Sequence, residues 1–370
     1  MPLEREVEAL RKEINTERMS MSIGELASLY QRGELDIHPQ FQRFLRWTDA
    51  QKTKLVESLL LRIPIPPLFV AQDPNGRWDV VDGVQRLGTI FQFLGILCNR
   101  DGEVQSPLVL LPTKLLPKLE GFVFTEGHTQ SHFTQAQQLD FKRLRLDLQI
   151  ILKESDPTTK YELFERLNTG GSIASDQEVR NCVLVWMNEP LFDWMLDALA
   201  ENDDFVEGVI LTDRLEDRQY RLELVLRFLA LYQIKQSNLK GLRDLGEFLN
   251  EQNRAIGSDP KFNRKEHERV FTKTFKIINA AAGSNAFRKY DSNRELFRGG
   301  FLISAFEALA LGVAYNIGQW DGPVSPEKKL ENLIKKLWAE EGFTGHIGMG
   351  VPARERIQHS IPFGRKFFRL

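Results

Sequence analysis

The sequence has little of what a disulfide-stapled, membrane-spanning or strongly basic protein needs. Its 370 residues include two cysteines, and 49 basic side chains oppose 51 acidic ones, giving a formal net charge of −2. This balance excludes the global positive field of a dedicated nucleic-acid binder and leaves room only for a local basic patch. Two cysteines, Cys98 and Cys182, in apolar surroundings indicate reduced, buried thiols.

Long apolar runs are missing as well. The longest, residues 301–315, is interrupted by Glu307 and is too short to span a bilayer. The first residues carry charges and lack the apolar core of a signal peptide. We therefore expect a soluble, cytoplasmic protein that does not contact a membrane.

Several catalytic signatures are also absent. No cysteine pair has zinc-site spacing, and neither a Gly-x-Ser-x-Gly segment nor a Walker-type phosphate loop occurs. The six histidines show no metal-binding pattern. We expect no resident metal site built from these residues.

Hydrophobic periodicity predicts an α+β protein in three segments. Residues 1–20 are predicted to form a short amphipathic helix, because apolar residues recur at alternating spacings of four and three from Leu3 to Ile14. Residues 21–175 mix helical and alternating patterns, with the irregular stretch 99–135 expected to cover the rest of that unit. The strands predicted there are 68–72, 77–82 and 144–150.

The third segment, residues 176–370, is predicted to be an α-helical domain. Ser175 and Glu178 form a capping box, and helical periodicity alone follows as far as about Trp338. The C-terminal tail is basic and aromatic, which suits either contact with nucleic acid or docking of its phenylalanines onto the helical domain. Both interpretations stay open at this point.

The sharpest candidate for chemistry is the turn from Asp82 to Arg86. A strand brings Asp82, Gly83 permits a tight turn, and a helix begins at once, so that free amides at its N-terminus favour a phosphate. Arg86 adds a fork of donors suited to phosphate oxygens. Asp82 can hold a metal ion, position a water or orient Arg86, and Gln85 can orient a water. The alternative, favoured for this segment alone, is a plain turn with Asp82 as N-cap and Arg86 at the surface.

Two further segments carry arginines in settings that suit a ligand. Arg43 lies among aromatic residues in the stretch from Pro39 to Trp47, which suits phosphate contact or stacking. Arg166 and Asn168 precede a Gly-Gly pair that lets backbone approach a ligand closely. The alternatives are solvated arginines in the first segment and an ordinary helix C-cap in the second.

Taken in order, these segments resemble one family: the ParB/sulfiredoxin-like domains that form the N-terminal half of GmrSD-type, modification-dependent restriction proteins. The resemblance covers residues 20–185. Its motifs here are Pro39 to Arg43, Ser58 to Pro67, Asp82 to Arg86, Phe164 to Gly171, and Glu178 with Arg180 and Asn181. The first four of these motifs, found in one order, make the resemblance specific.

The resemblance implies a ParB/sulfiredoxin-like N-terminal domain with a nucleotide site, followed by an all-α helical domain. In that site Asp82 and Gln85 are the implied catalytic residues. The implied binding residues are Gly83, Arg86, Arg43, Arg166 and Asn168. The ligand would be a nucleoside triphosphate, with ATP, GTP and CTP not distinguished, and Mg²⁺ is compatible with the site.

The implied function is a nucleotide-binding, NTP-hydrolysing or regulatory sensor subunit of a prokaryotic anti-phage restriction system that recognises foreign or modified DNA. Many relatives continue into a one-metal HNH nuclease, whose His and Asn pattern this sequence lacks. The expected partners are therefore a nucleotide, DNA and a separate nuclease or effector, and homo-oligomerisation stays open.

Val84, which departs from the family pattern, and the missing nuclease pattern favour a rival of another class, whereas the intact Asp82, Gln85 and Arg86 favour the first function. Val84 stands where the family usually has a Gln, and Gly88 lies in the first helical turns at a cost of about 1 kcal/mol relative to Ala. Both changes weaken the expectation of efficient hydrolysis more than that of binding. The rival is a catalytically inert, antitoxin-like protein that binds a partner nuclease.

Overall fold

The computed structural model describes residues 15–37, 47–73, 75–99, 102–126, 131–152, 175–321, 325–348 and 350–370. The chain divides into two compact units, Met1–Ile173 and Ala174–Leu370. Within the described ranges, no helix is both long and apolar enough to cross a membrane.

The first unit is an α+β structure built on one mixed sheet. Five described strands pair in the order β1-β7-β3-β4-β2, with β7 parallel to β3 and the β3–β4 pair antiparallel. The strands are β1 (Thr16–Ser22), β2 (Leu35–Asp36), β3 (Leu68–Gln72), β4 (Trp78–Asp82) and β7 (Arg145–Ile151), and a separate short pair is formed by β5 (Phe122–Val123) and β6 (Ser131–His132). The described helices are α1 (Ile23–Gln31), α2 (Asp49–Leu60), α3 (Val84–Phe93) and α4 (Gln135–Arg143).

The core of this unit lies where apolar faces of the helices meet the sheet. In β7 the buried residues Leu146, Leu148 and Ile150 alternate with more exposed ones, as a half-buried strand requires. Helix α3 contributes Leu87 and Phe91, both fully buried. The predicted α+β class is confirmed, and so are the strands predicted at 68–72, 77–82 and 144–150 to within a residue or two.

The helix predicted over residues 1–20 is wrong for its last part. Residues 16–22 form β1, which pairs antiparallel with β7 from Thr16 opposite Ile151 to Ser22 opposite Arg145. Met19 and Met21 pack against the core with the two-residue period of a strand. The stretch from Leu3 to Ile14, on which the helix was predicted, lies outside the described residues.

The irregular stretch expected to cover the unit lies along helix α2 in its described part. The Leu111 amide donates to Thr53 Oγ1 at 3.1 Å, and the Thr113 hydroxyl donates to Glu57. Thr53 and Glu57 are consequently buried although both are polar. A short 3-10 turn, Pro117–Leu119, interrupts the stretch.

The second unit is helical, with one small hairpin. Its helices are α5 (Asp176–Trp194), α6 (Asp203–Gly208), α7 (Asp213–Asp217), α8 (Tyr220–Leu231), α9 (Gln236–Gly241), α10 (Leu245–Ser258), α11 (Arg264–Ala282), α12 (Ile303–Tyr315), α13 (Pro326–Leu337), α14 (Glu341–Thr344) and α15 (Ala353–Phe367). A π-helical turn, Met195–Ala200, and two 3-10 turns, Gly283–Asn285 and Ile317–Asp321, complete the described helical elements. The hairpin, β8 (Lys289–Asp291) and β9 (Leu296–Arg298), is an addition to the predicted all-α domain, because its three-residue strands are too short for an alternating pattern to show.

Helix α12 is the centre of the second unit, and α15 packs directly against it. The contact is close because two glycines face the partner backbone: a Cβ at Gly312 would lie 2.6 Å from the Gly364 carbonyl oxygen, and a Cβ at Gly364 would overlap the Ala308 carbonyl. Phe368, just after α15, is fully buried, and the Trp320 indole donates to its carbonyl at 3.2 Å. The C-terminal segment is thus a docked helix of the core, the second of the two alternatives for the tail.

Candidate functional site

The predicted site is built on strand β4, which ends at Asp82. The strand is positioned by pairing with β3 and β2 on its two sides. Its entry turn is fixed by Asp73, whose Oδ1 accepts from the amides of Asn75 and Arg77, both at 2.8 Å. The last residue of β4, Asp82, lies opposite Phe69 of β3, so that strand fixes its position, whereas β2 pairs with the first two residues of β4.

Gly83 makes the transition from strand to helix. It is the N-cap of α3 in the left-handed region, with φ +100°, and no side chain caps the helix. A Cβ here would overlap Leu68 Cδ2, so both backbone conformation and space require glycine. The alternative in which Asp82 is the N-cap is therefore wrong, since the glycine takes that place and leaves the helix end without a side-chain acceptor.

Arg86 is held by the protein in three ways. Its Nη2 donates to Asp82 Oδ2 at 2.8 Å and to the Pro67 carbonyl at 3.2 Å, and its Nη1 donates to the Pro66 carbonyl. The side chain is only 12% exposed, against 34% for Asp82. The alternative that placed Arg86 at the surface is wrong, because backbone carbonyls twenty residues away draw the guanidinium inward.

The electrostatics of the pair follow from this burial. Desolvation lowers the pKa of Arg86, and the charge and hydrogen bond of Asp82 act in the opposite direction. A carboxylate in this place repels phosphate unless a cation accompanies it. Arg86 is that cation, and it offsets the Asp82 charge at the start of α3.

The first turn of α3 contributes Val84 and Gln85. Val84 is part-buried and packs against the core of the first unit, which suits its apolar side chain. Gln85 is part-buried, and its carbonyl accepts from the Thr89 hydroxyl at 2.7 Å. The structure thus brings Asp82, Gly83, Gln85 and Arg86 together, whereas Arg43, Arg166 and Asn168 lie outside the described residues.

Chemically, the turn offers an uncapped helix N-terminus beside a neutralised carboxylate. The amides and helix dipole at such an end favour an anion. Arg86 reaches a ligand only by exchanging one of its present acceptors for it. The sequence analysis did not predict the carbonyls of Pro66 and Pro67 as acceptors for Arg86. Two adjacent prolines have no amide hydrogens for sheet pairing, and this indicates a backbone segment outside the sheet.

A second polar cluster, in the helical unit, was missed more completely. Glu307 on α12 is fully buried and accepts from Arg227 Nη1 at 3.2 Å and from Arg356 Nε at 2.7 Å. Arg227 also pairs with Glu223 at 2.6 Å, and burial raises the pKa of the adjoining Tyr220 to about 12. The sequence signal was Glu307 itself, the acid that interrupts the apolar run.

The motif residues Arg180 and Asn181 belong to this helical unit and are 2% exposed. Arg180 Nε donates to Asn250 Oδ1 at 2.7 Å, and its Nη1 lies 3.5 Å from Glu223 Oε2. They support helix packing. Among the residues that the structure describes, no group of three or more His, Cys, Asp or Glu is arranged to hold a metal ion.

The comparison with protein families places the predicted site inside a family match. A family model described as "GmrSD restriction endonuclease, N-terminal domain" matches residues 23–185, which include the Asp82–Arg86 turn. Comparisons with curated proteins and with solved structures give no match. The matched segment begins at the first residue of α1 and ends within α5. Residues 23–185 of this chain are therefore a domain of the GmrSD restriction endonuclease N-terminal family.

Proposed function

We propose that this protein is a nucleotide-binding sensor or regulatory subunit of a prokaryotic restriction system directed at foreign or modified DNA. Its first unit binds a nucleoside triphosphate at the Asp82–Arg86 turn, and a separate partner supplies the nuclease. The observation that carries the proposal is the family match across residues 23–185, which contains this turn.

The geometry of the turn supports binding more than hydrolysis. The left-handed Gly83 supplies no capping side chain at the start of α3, and a helix N-terminus of this kind favours a phosphate. Asp82 is one-third exposed and can approach a Mg²⁺-bound phosphate, while Val84 brings no polar group to orient a water. Turnover is accordingly expected to be slow.

A rival function is favoured by the three contacts of Arg86. A guanidinium held by Asp82 and by the carbonyls of Pro66 and Pro67 has the role of a structural clamp. In that case the domain keeps the family fold, binds no nucleotide and acts as an antitoxin-like inhibitor of a partner nuclease.

Calorimetric titration of the full chain with ATP, GTP, CTP and UTP, each with and without Mg²⁺, distinguishes the two functions. A nucleotide at 100 times its dissociation constant stabilises the fold by about 2.7 kcal/mol, which a melting curve detects. Asp82→Asn should reduce the Mg²⁺ dependence of binding, and Asp140→Asn, at an exposed position of α4, is the matched control. If no triphosphate gives heat of binding, with or without Mg²⁺, the result supports the rival function.

Hydrolysis is tested separately by steady-state phosphate release. Asp82→Asn should lower any Mg²⁺-dependent turnover more than it lowers affinity, and Val84→Gln should raise turnover if an amide there orients water. Equal background rates in the wild type and both variants, despite measurable binding, would make the protein a nucleotide-gated regulator without enzymatic activity.

A further inference from the structure

A small cavity opens in the helical unit, away from the Asp82–Arg86 turn in the sequence. It lies where the end of α6, the 3-10 turn Gly283–Asn285 and the loop after β9 meet, and its volume is about 200 Å³. Drug-sized sites typically measure about 300–1,000 Å³. The cavity therefore suits a single ring with one compact charged group, and it is too small to enclose a nucleoside triphosphate.

The apolar wall of the cavity is aromatic. Phe287 is 1% exposed, and its ring centroid lies 5.8 Å from that of Phe301 at an interplanar angle of 57°. Both side chains line the cavity. Such tilted rings accept a flat ring against their faces and edges.

Arg288 gives the lining a positive charge. Its Nε donates to the Gly299 carbonyl at 2.7 Å and its Nη1 donates to Asn285 Oδ1 at 2.9 Å, so the guanidinium is fixed by neutral partners. In the part of the chain that the structure describes, Arg288 pairs with no carboxylate and its Nη2 has no acceptor. Its charge is consequently not neutralised by the fold.

Other residues of the lining carry donors as well. The Ser284 hydroxyl and the amides of Gly299, Gly300 and Phe301 donate to no acceptor among the described residues. None of the described residues that line the cavity is acidic. Two of the three acids of neighbouring α6, Asp204 and Glu207, accept from the Asn279 side chain. Within the described residues, these donors and the Arg288 guanidinium without a carboxylate partner suit an anion.

We propose that this cavity is a second ligand site, for a small phosphate monoester that carries one aromatic ring. The ring packs against Phe287 and Phe301, and the phosphate accepts from Arg288, from Ser284 and from the amides of the Gly299–Gly300 loop. A bound ligand joins α6, the 3-10 turn and the hairpin, which makes the site a means of regulating the helical unit.

Titration of the full chain with phenyl phosphate tests the site by calorimetry, with inorganic phosphate, benzoate and benzyl alcohol as comparison ligands. We expect saturable binding of one phenyl phosphate, at least tenfold tighter than that of each comparison ligand. Equal affinity for benzyl alcohol would show an apolar cavity without anion recognition. Equal affinity for inorganic phosphate would show that the rings contribute nothing, and either result overturns the proposal.

Two variants locate the ligand, and each has a matched control. Arg288→Gln removes the charge and keeps a hydrogen-bonding side chain, while Arg294→Gln changes an exposed arginine of the same hairpin. Gly300→Val narrows the cavity at a position with open space around its Cβ, as Gly318→Val does on a distant 3-10 turn. Both cavity variants should weaken phenyl phosphate binding at least tenfold, and both controls should leave it unchanged.

Gly300→Val decides the question if Arg288→Gln proves unstable, because it alters no hydrogen-bonding side chain. Phenyl phosphate binding that survives Gly300→Val at full affinity places the ligand elsewhere and overturns the assignment. The absence of any saturable binding to the folded wild-type chain does so as well.

Discussion

Arg86 Nη2 lies 2.8 Å from Asp82 Oδ2, one helical turn earlier, across the glycine that joins β4 to α3. The same guanidinium satisfies the carbonyls of Pro66 and Pro67. The pair therefore connects three consecutive pieces of the first unit: the segment before β3, the end of β4 and the start of α3. We therefore expect loss of this pair to lower the free energy of unfolding, an effect that does not depend on any ligand.

Arg86→Ala should lower the free energy of unfolding by about 2–4 kcal/mol, because part-buried acceptors and a carboxylate lose their donor. Urea unfolding followed by circular dichroism measures this loss. Arg77→Ala is the matched control: Arg77 is half-exposed, donates to the Gly33 carbonyl at 3.0 Å and should cost below about 1 kcal/mol. Equal losses in the free energy of unfolding for the two variants would contradict the structural role assigned to Arg86.

Gly83→Ala should cost about 3 kcal/mol or more, since it adds the overlap with Leu68 to the strain of a positive φ. The control is Gly102→Ala, where φ is +79° and nothing lies within 4 Å of the new Cβ, so strain alone of about 1 kcal/mol is expected. Chemical unfolding measures the free energy of unfolding of both variants. The difference between the two losses gives the cost of the overlap between the start of α3 and Leu68 of β3.

Gly364→Ala should unfold the α12–α15 contact, because its methyl group would overlap the Ala308 carbonyl. We expect a loss of about 3 kcal/mol or more, or failure to fold. Gly241→Ala, at the end of α9 with open space around it, should leave the melting temperature unchanged or slightly raised. Differential scanning calorimetry compares the two.

Because of His267, the free energy of unfolding should decrease as the pH is lowered. Burial lowers the pKa of His267 below 6.5, with the nearby Glu266 acting in the opposite direction. The unfolded chain then binds more protons than the folded one below about pH 6.5, so the free energy of unfolding decreases as pH falls through that value. The Tyr232 hydroxyl, 3.0 Å from Nδ1, and Phe262, stacked at 4.4 Å, pack on the imidazole.

Urea titrations of the wild type and His267→Gln at pH 7.5 and 5.5 check the sign. The variant should lose less stability between the two pH values than the wild type does. His132→Gln, at an exposed histidine of the first unit, is the matched control. A larger loss in His267→Gln than in the wild type would show that the assigned direction is wrong.

Local signals in the sequence predicted much of the fold. The capping box of Ser175 with Glu178 is confirmed, because it depends on two residues only three apart. Strand β7 was predicted for a similar reason, since its alternation is carried within seven residues.

What could not be predicted depends on partners far along the chain. Residues 16–20 were predicted to be helical, and they are a strand because β7, about 130 residues away, pairs with them. Arg86 was expected at the surface under the simpler alternative, and it is buried by carbonyls of the segment before β3. The partners of Glu307 come from α8 and α15, so composition alone could reveal the buried acid but not its arginines.

The end of the family match inside α5 has a consequence for how such proteins are assembled from genes. A recombination breakpoint after residue 185 would divide α5 and separate Arg180 from Glu223 and Asn250, its buried partners beyond the matched segment. A guanidinium that loses such partners in a protein interior is strongly destabilising. An exchange of the GmrSD-type domain that keeps Arg180 with its buried partners therefore has to leave α5 intact with the helical unit.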